Sequence, residues 1–205
     1  MLRTFSELRG IAIRATDGYV GTLSDVYFDD SSWRIRYGVV DTGRWFADRH
    51  VLVGPRALSV ADPARRELWV RLSKSEVRAS RRAETDRPVS RQKRGFAFYH
   101  ADTQAHDPHL RSCRAVAGHR LEATDGRLGR VDDFMIDDKT WTIRQLIVDT
   151  EQWQVAAAGV LVAPRHVEAI SWPRASVSID LSRAAVMTAP TYRHTPRNVT
   201  PPISG

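Results

Sequence analysis

Three sets of residues in this chain have types and spacings that suggest chemistry. The first is Asp41-Thr42-Gly43 after the apolar pair Val39-Val40, which returns as Asp149-Thr150-Glu151 after Ile147-Val148. An apolar-Asp-Thr-Gly loop supplied twice is what an aspartic-type hydrolase needs, because two carboxylates sharing one proton can act as acid and base. The second loop lacks the glycine, however, and an Asp-Thr pair at a strand end also serves to hydrogen-bond local backbone. The second set is the acidic doublets Asp29-Asp30, Asp132-Asp133 and Asp137-Asp138, which carry the hard oxygen ligands Ca²⁺ prefers. They lack EF-hand spacing and a closing glutamate, and they read as turn residues. The third is His100-x-Asp102 with His106-Asp107-x-His109, ligand types suited to zinc or to a two-His, one-carboxylate iron site. Solvated loop histidines are the preferred reading there. No serine has a Gly-x-Ser-x-Gly setting, and Gly18-x-x-Gly21 lacks the Lys-Ser/Thr ending of a phosphate loop. The expectation is a protein that is not an enzyme, with no cofactor and no metal site.

The elements that would have to position these residues occur twice. Ala15-Thr16-Asp17-Gly18-x-x-Gly21 returns as Ala123-Thr124-Asp125-Gly126-x-x-Gly129. Asp29-Asp30-x-x-Trp33-x-Ile35-Arg36 returns as Asp137-Asp138-x-x-Trp141-x-Ile143-Arg144, and Val40-Asp41-Thr42 as Val148-Asp149-Thr150. Residues 15–42 and 123–150 share 14 identities in 28 pairs at a constant offset of 108, and Trp45 and Trp153 keep it. The offset becomes 109 at Val51-Leu52-Val53-x-Pro55-Arg56 and Val160-Leu161-Val162-x-Pro164-Arg165. So long a period indicates a duplicated domain and not a solenoid. The shared residues are turn-formers, apolar core residues, Trp33/Trp141 and Arg36/Arg144. None is His, Cys or Lys, so the shared set belongs to a scaffold and not to catalytic machinery.

Periodicity within each copy is two. Strands are expected at 11–14, 23–28, 33–40, 51–53 and 68–72, with a hairpin turn at Asp17-Gly18 and one short helix started by the capping box Ser73-x-x-Glu76. The fold class is all-β: two tandem small β-barrels from an internal duplication, joined by a long linker, with at most short helices. The domains are 1–78, a basic linker 79–112, 113–188, and a Pro-rich tail 189–205 with four of the ten prolines. Each copy is small enough that its core is thin, so the barrels are expected to pack on each other or across a homodimer. One cysteine, Cys113, excludes an intrachain disulfide. No apolar run approaches the roughly 18 residues of a membrane span, and no secretory signal is visible, so a cytoplasmic protein is expected.

The repeated hairpin, the Asp-Asp-x-x-Trp-x-Ile-Arg and Val-Asp-Thr stretches and the Val-Leu-Val-x-Pro strand resemble the PRC-barrel family. That family takes its name from the cytoplasmic domain of the photosynthetic reaction-centre H subunit, and the C-terminal domain of the ribosome-maturation factor shares it. The whole chain looks like the two-barrel bacterial subgroup, including Pro88-Val89-Ser90-Arg91-Gln92 and Asp107-Pro108-His109-Leu110-Arg111-Ser112. The resemblance implies an adaptor or assembly role through docking on other proteins, and no catalytic residues.

The chain carries +7, and residues 78–94 hold seven cations against two carboxylates, a net +5. Arg87, Pro88, Val89, Ser90, Arg91 and Gln92 are the candidate docking residues. Arg87 or Arg91 is expected to donate charge-assisted hydrogen bonds to a barrel carboxylate and so fix how the barrels sit. The alternative is an RNA- or ribosome-associated protein using this basic segment. Few stacking platforms accompany it (Phe96, Phe98 and Tyr99), and the protein-interaction reading is preferred.

Overall fold

The computed structural model describes residues 1–43, 49–59, 61–62, 65–91, 107–150 and 158–193. Trp45, Trp153, the aromatic stretch Phe96–Tyr99, His100, Asp102, His106, Gln92, Lys93, Arg94 and the tail from 194 onward lie outside them. The chain is mainly β, and its helices are short. The first half runs β1 (Leu2–Thr4), α1 (Phe5–Leu8), β2 (Ala12–Ala15), β3 (Gly18–Asp29), β4 (Ile35–Asp41), β5 (His50–Val53), β6 (Glu67–Trp69) and α2 (Lys74–Ala79). The second runs β7 (Leu110–Ser112), α3 (Cys113–Val116), β8 (Arg120–Ala123), β9 (Gly126–Asp137), β10 (Thr142–Asp149), β11 (Ala158–Val162), β12 (Val167–Ser171), β13 (Ser176–Ile179), α4 (Arg183–Met187) and β14 (Thr191–Arg193).

Two sheets result. One has the order β5-β4-β3-β2-β6, and the other β12-β13-β8-β9-β10-β11-β14. The opening hairpins share a register, Ala15 opposite Gly18 and Ala123 opposite Gly126. The chain therefore reverses at Thr16-Asp17 and Thr124-Asp125, one residue before the expected Asp17-Gly18 pair. Gly18 (φ +128°) and Gly126 (φ +129°) open the next strand in a conformation that glycine tolerates best. The motif aspartates hold the far end of each half: Asp17 accepts from the Lys74 backbone N–H (2.7 Å) and Asp125 from that of Arg183 (2.8 Å), at the first residues of α2 and α4. Gly21 and Gly129 are demanded by close approach. A Cβ there would lie 2.0 Å from the carbonyl oxygen of Asp41 or Asp149.

The short leading strands do not stay with their own halves. β1 pairs with β9 of the second sheet, and β7 pairs with β3 of the first. Leu110–Ser112, in the stretch read from sequence as linker, thus belong to the first sheet. Thr191–Arg193, at the start of the Pro-rich stretch, pair with β11. Residues 81–83 do the same to β5: Leu52 N–H donates to Arg81 O (2.8 Å) and Ala83 N–H to His50 O (2.9 Å).

Where the sheets meet, Trp33 and Trp141 adopt left-handed φ values of 58° and 49°. Bulky residues avoid this region, and the local cost is about 1–3 kcal/mol. It is offset by cross-half hydrogen bonds: Ile143 N–H donates to Trp33 O (2.9 Å) and Ile35 N–H to Trp141 O (2.8 Å). Both rings are buried, as their place at the head of an alternating strand suggests. Phe28 stacks on Trp33 (centroids 5.4 Å) and tilts against Phe134 (5.7 Å). The larger hydrophobic cluster therefore runs through both halves. A second, smaller cluster forms where Tyr27, Val39, Leu52 and Leu110 are covered by Ala83. No helix among the described residues is long and apolar enough to cross a membrane.

Candidate interaction site

The exchange of β1 and β7 is fastened by two matched clasps. In one, Arg3 Nε donates to Asp138 Oδ2 at 2.7 Å and the Met1 ammonium donates to Asp138 Oδ1 at 2.7 Å. In the other, Arg111 Nε donates to Asp30 Oδ2 at 2.5 Å, and His109 Nδ1 sits 2.8 Å from Asp30 Oδ1. Each aspartate directly follows the strand that receives the exchanged one. Short charge-assisted hydrogen bonds in a partly buried setting are the strong kind. The Asp30 hydrogen bond, and then its charge, raise the pKa of His109. The clasp residues keep the 108 offset, and so do Leu2 and Leu110. Sequence reasoning did not single out Arg3, Arg111, Asp30 or Asp138 for this role. The Leu-Arg identity upstream of the main repeat was the available signal.

A second pair of aspartates receives the helix that follows each exchanged strand. Asp25 accepts from Ser112 Oγ (2.5 Å) and Arg114 N–H (3.1 Å), and Asp133 accepts from Ser6 N–H (3.2 Å). Burial pushes both carboxyls above their ordinary pKa, against the pull of these hydrogen bonds. Asp29 behaves in the opposite sense. Burial raises it, but four hydrogen bonds from Ser31 and Ser32 outweigh burial and bring it to about 2. Asp137 is likewise lowered, its burial outweighed by bonds from Thr140, Lys139 and Arg144. Asp29, Asp30, Asp133, Asp137 and Asp138 are thus engaged by backbone N–H groups, hydroxyls and cations of the chain itself. Among the described residues no group of three or more His, Cys, Asp or Glu gathers to hold a metal ion.

The hydrolase geometry is not formed. β4 and β10 meet at an antiparallel bridge between Arg34 and Thr142 and run away from it in opposite directions. Asp41 and Asp149 each end a strand about 20 Å from that junction, at roughly 3.3 Å per residue. Asp41 accepts instead from the Gly43 N–H at 3.0 Å.

The basic segment, as far as it is described, lies along the first sheet. Arg81 pairs with Asp86 (3.2 Å), and Arg87 Nε donates to the Glu84 carbonyl (3.0 Å). Pro88 is buried, Val89 and Ser90 are half-buried, and Arg91 is exposed. The turn Val89–Arg91 packs against β7, and the Arg91 charge pulls Asp25 down against the stronger push of burial. Arg111 makes the kind of carboxylate clasp expected of Arg87 or Arg91. Gln92 lies outside the described residues.

Outside the clasps, the halves differ in what they show to solvent. Arg14 on β2 pairs in register with Tyr19 on β3 and Trp69 on β6. Tyr19 and Trp69 are 46% and 43% exposed. They flank Arg14, whose Nε donates to Glu67 at 2.8 Å, two strand spacings or about 10 Å apart. The same row in the second half reads Arg127, Glu122 and Ser178.

These features define an all-β scaffold with two interlocked sheets and an exposed Tyr19–Trp69 row on the first. Residues 2–76 match the family model of the PRC-barrel domain, so the first half carries a PRC-barrel domain, as its motifs suggest. The match begins at β1, the strand given over to the second sheet. No curated protein matches the chain.

Proposed function

We propose that the protein is a non-enzymatic interaction module: two PRC-barrel-like units, derived by duplication, locked into one rigid body that docks on another protein. The row Tyr19–Arg14–Trp69 carries this reading. Trp, Tyr and Arg are the residue types that dominate binding energy at protein interfaces. Here Tyr19 and Trp69 stand exposed on either side of the half-buried Arg14, whereas the other half has polar groups in the same row. The residues shared by both halves are engaged in turns, clasps and core, which leaves the unshared surface to carry specificity. The separation of Asp41 from Asp149 supports a role without acyl chemistry, and the single buried thiol suits a reducing cytoplasm. The basic segment is read as a structural strap in which Arg81 is met by Asp86 and Arg87 by the Glu84 carbonyl.

The test is co-purification from the native host with the parent and with Tyr19→Ser plus Trp69→Ser. The reading expects a stoichiometric protein retained by the parent at high salt and lost by the double variant at unchanged thermal midpoint. Recovery of nucleic acid instead, released steeply by salt and indifferent to the double variant, would support the RNA-associated alternative.

A further inference from the structure

The two clasps are built from equivalent residues, yet one is closed and the other is open. Arg3 is satisfied on both edges: Nε meets Asp138, and Nη2 donates to the Ala61 carbonyl at 2.8 Å. Arg111 uses Nε on Asp30, and among the described residues its Nη groups have no hydrogen-bond acceptor. Ile170, which stands to Ala61 at the 109 offset, instead lines a cavity of about 310 Å³ beside Arg111. That volume is at the small end of ligand pockets. Asp30 and His109 lie in its wall, committed to each other. Across from them β12 contributes the apolar Val167 and Ile170 and the carboxylate of Glu168, which has no partner among the described residues.

The cavity therefore offers an unused cationic fork, an unused carboxylate and apolar lining from Val167 and Ile170. A lone anion would meet Glu168 with like charge, and a lone cation would meet Arg111. We propose that this cavity binds a small amphoteric carboxylate of the amino-acid class. Its carboxylate sits bidentate on the Arg111 Nη edge, its ammonium group faces Glu168, and its side chain rests on Val167 and Ile170. Arg111 suits this role because its planar fork matches a carboxylate while Nε stays on Asp30. Asp30 stays occupied by Arg111 and His109, so it does not compete for the ligand.

The probe is L-leucine, titrated into the full chain at constant ionic strength and followed by NMR signals of the Arg111 side chain and the Val167 and Ile170 amides. Its two truncated analogues are 4-methylpentanoate, which lacks the amine, and isopentylamine, which lacks the carboxylate. Saturable shifts with a dissociation constant of about 1 mM for leucine, and binding about tenfold weaker for each analogue, are expected. Arg111 also holds β7, so the discriminating variant is Glu168→Gln on the exposed edge. It should keep the parent's thermal midpoint and weaken leucine about tenfold, to the level of 4-methylpentanoate. No saturable response to leucine, equal responses to all three probes, or leucine affinity unchanged in Glu168→Gln would overturn the proposal.

Discussion

The first and second sheets spend the same residues on the same tasks, and they part company only where those tasks end. Gly21 and Gly129 admit the same carbonyl, Asp17 and Asp125 hold the same helix start, and Arg3 and Arg111 cross to the same partner position. By contrast, the buried Ile11 stands where the second half has His119. Tyr19–Arg14–Trp69 stands where the second half has Arg127–Glu122–Ser178. What the halves share is therefore structural, and what distinguishes them is where binding chemistry has room to appear.

The largest expected effects fall on the shared positions and should be symmetric. Trp33→Ala and Trp141→Ala should each lower stability by about 3–5 kcal/mol in a urea melt, since each deletes a buried ring at the junction. A loss under about 1 kcal/mol at either would mean that its ring is not part of the common core. Gly21→Ala and Gly129→Ala should each cost about 3 kcal/mol, because a methyl group cannot share space with a carbonyl oxygen. A large cost at one glycine and none at the other would break the equivalence.

The clasps should be unequal. Arg3→Ala leaves Asp138 buried without its guanidinium, and breaking such a pair costs about 3–5 kcal/mol. Arg111→Ala should cost less, about 1–3 kcal/mol, because the cavity beside it lets water reach Asp30. Equal losses would argue against the open clasp on which the ligand proposal rests.

His119 should give a smaller, pH-dependent contrast. The residue is 5% exposed, its Nδ1 is buried with no partner among the described residues, and the Trp172 ring lies 5.5 Å away. Burial lowers its pKa below the usual 6.5, and the Arg111 charge acts in the same direction. The unfolded chain therefore takes up a proton that the folded chain resists, and stability falls as pH drops through 6.5 toward the folded value. His119→Ile, the residue at the equivalent Ile11, should flatten that slope between about pH 5 and pH 7. An unchanged slope would locate acid sensitivity elsewhere. The smallest effect is expected for Arg87→Ala with Arg91→Ala, under about 1 kcal/mol, because Arg91 is exposed and the half-buried Arg87 donates only a solvent-exposed bond to the Glu84 carbonyl. A fall of about two in the slope of log RNA affinity against log salt would instead assign these residues to phosphate contacts.

Hairpins, the apolar strands and the short capped helix at Ser73 were legible because alternation and turn chemistry are local. The repeat also marked Gly21, Asp17 and Trp33 as special. It could not say why, because their reasons lie far along the chain: Asp41 O, the start of α2, and a carbonyl–amide exchange with Trp141 and Ile143. The strand exchange was hidden for the same reason. β1 and β7 are three residues each, and their alternation fits either sheet equally well. The side-chain bonds of Arg3 to Asp138 and of Arg111 to Asp30, just past the end of each receiving strand, mark the partner. The open clasp was invisible because it depends on Ile170 failing to supply the acceptor that Ala61 supplies.

The central claim is that the two halves are one interlocked body, and residue-resolved hydrogen exchange on Trp33→Ala tests it most directly. If the halves share a core, amides of β9 and β10 in the second half should lose protection by the same free energy as those of β3 and β4 in the first. Loss of protection confined to β3 and β4, with β9 and β10 as protected as in the parent, would contradict it.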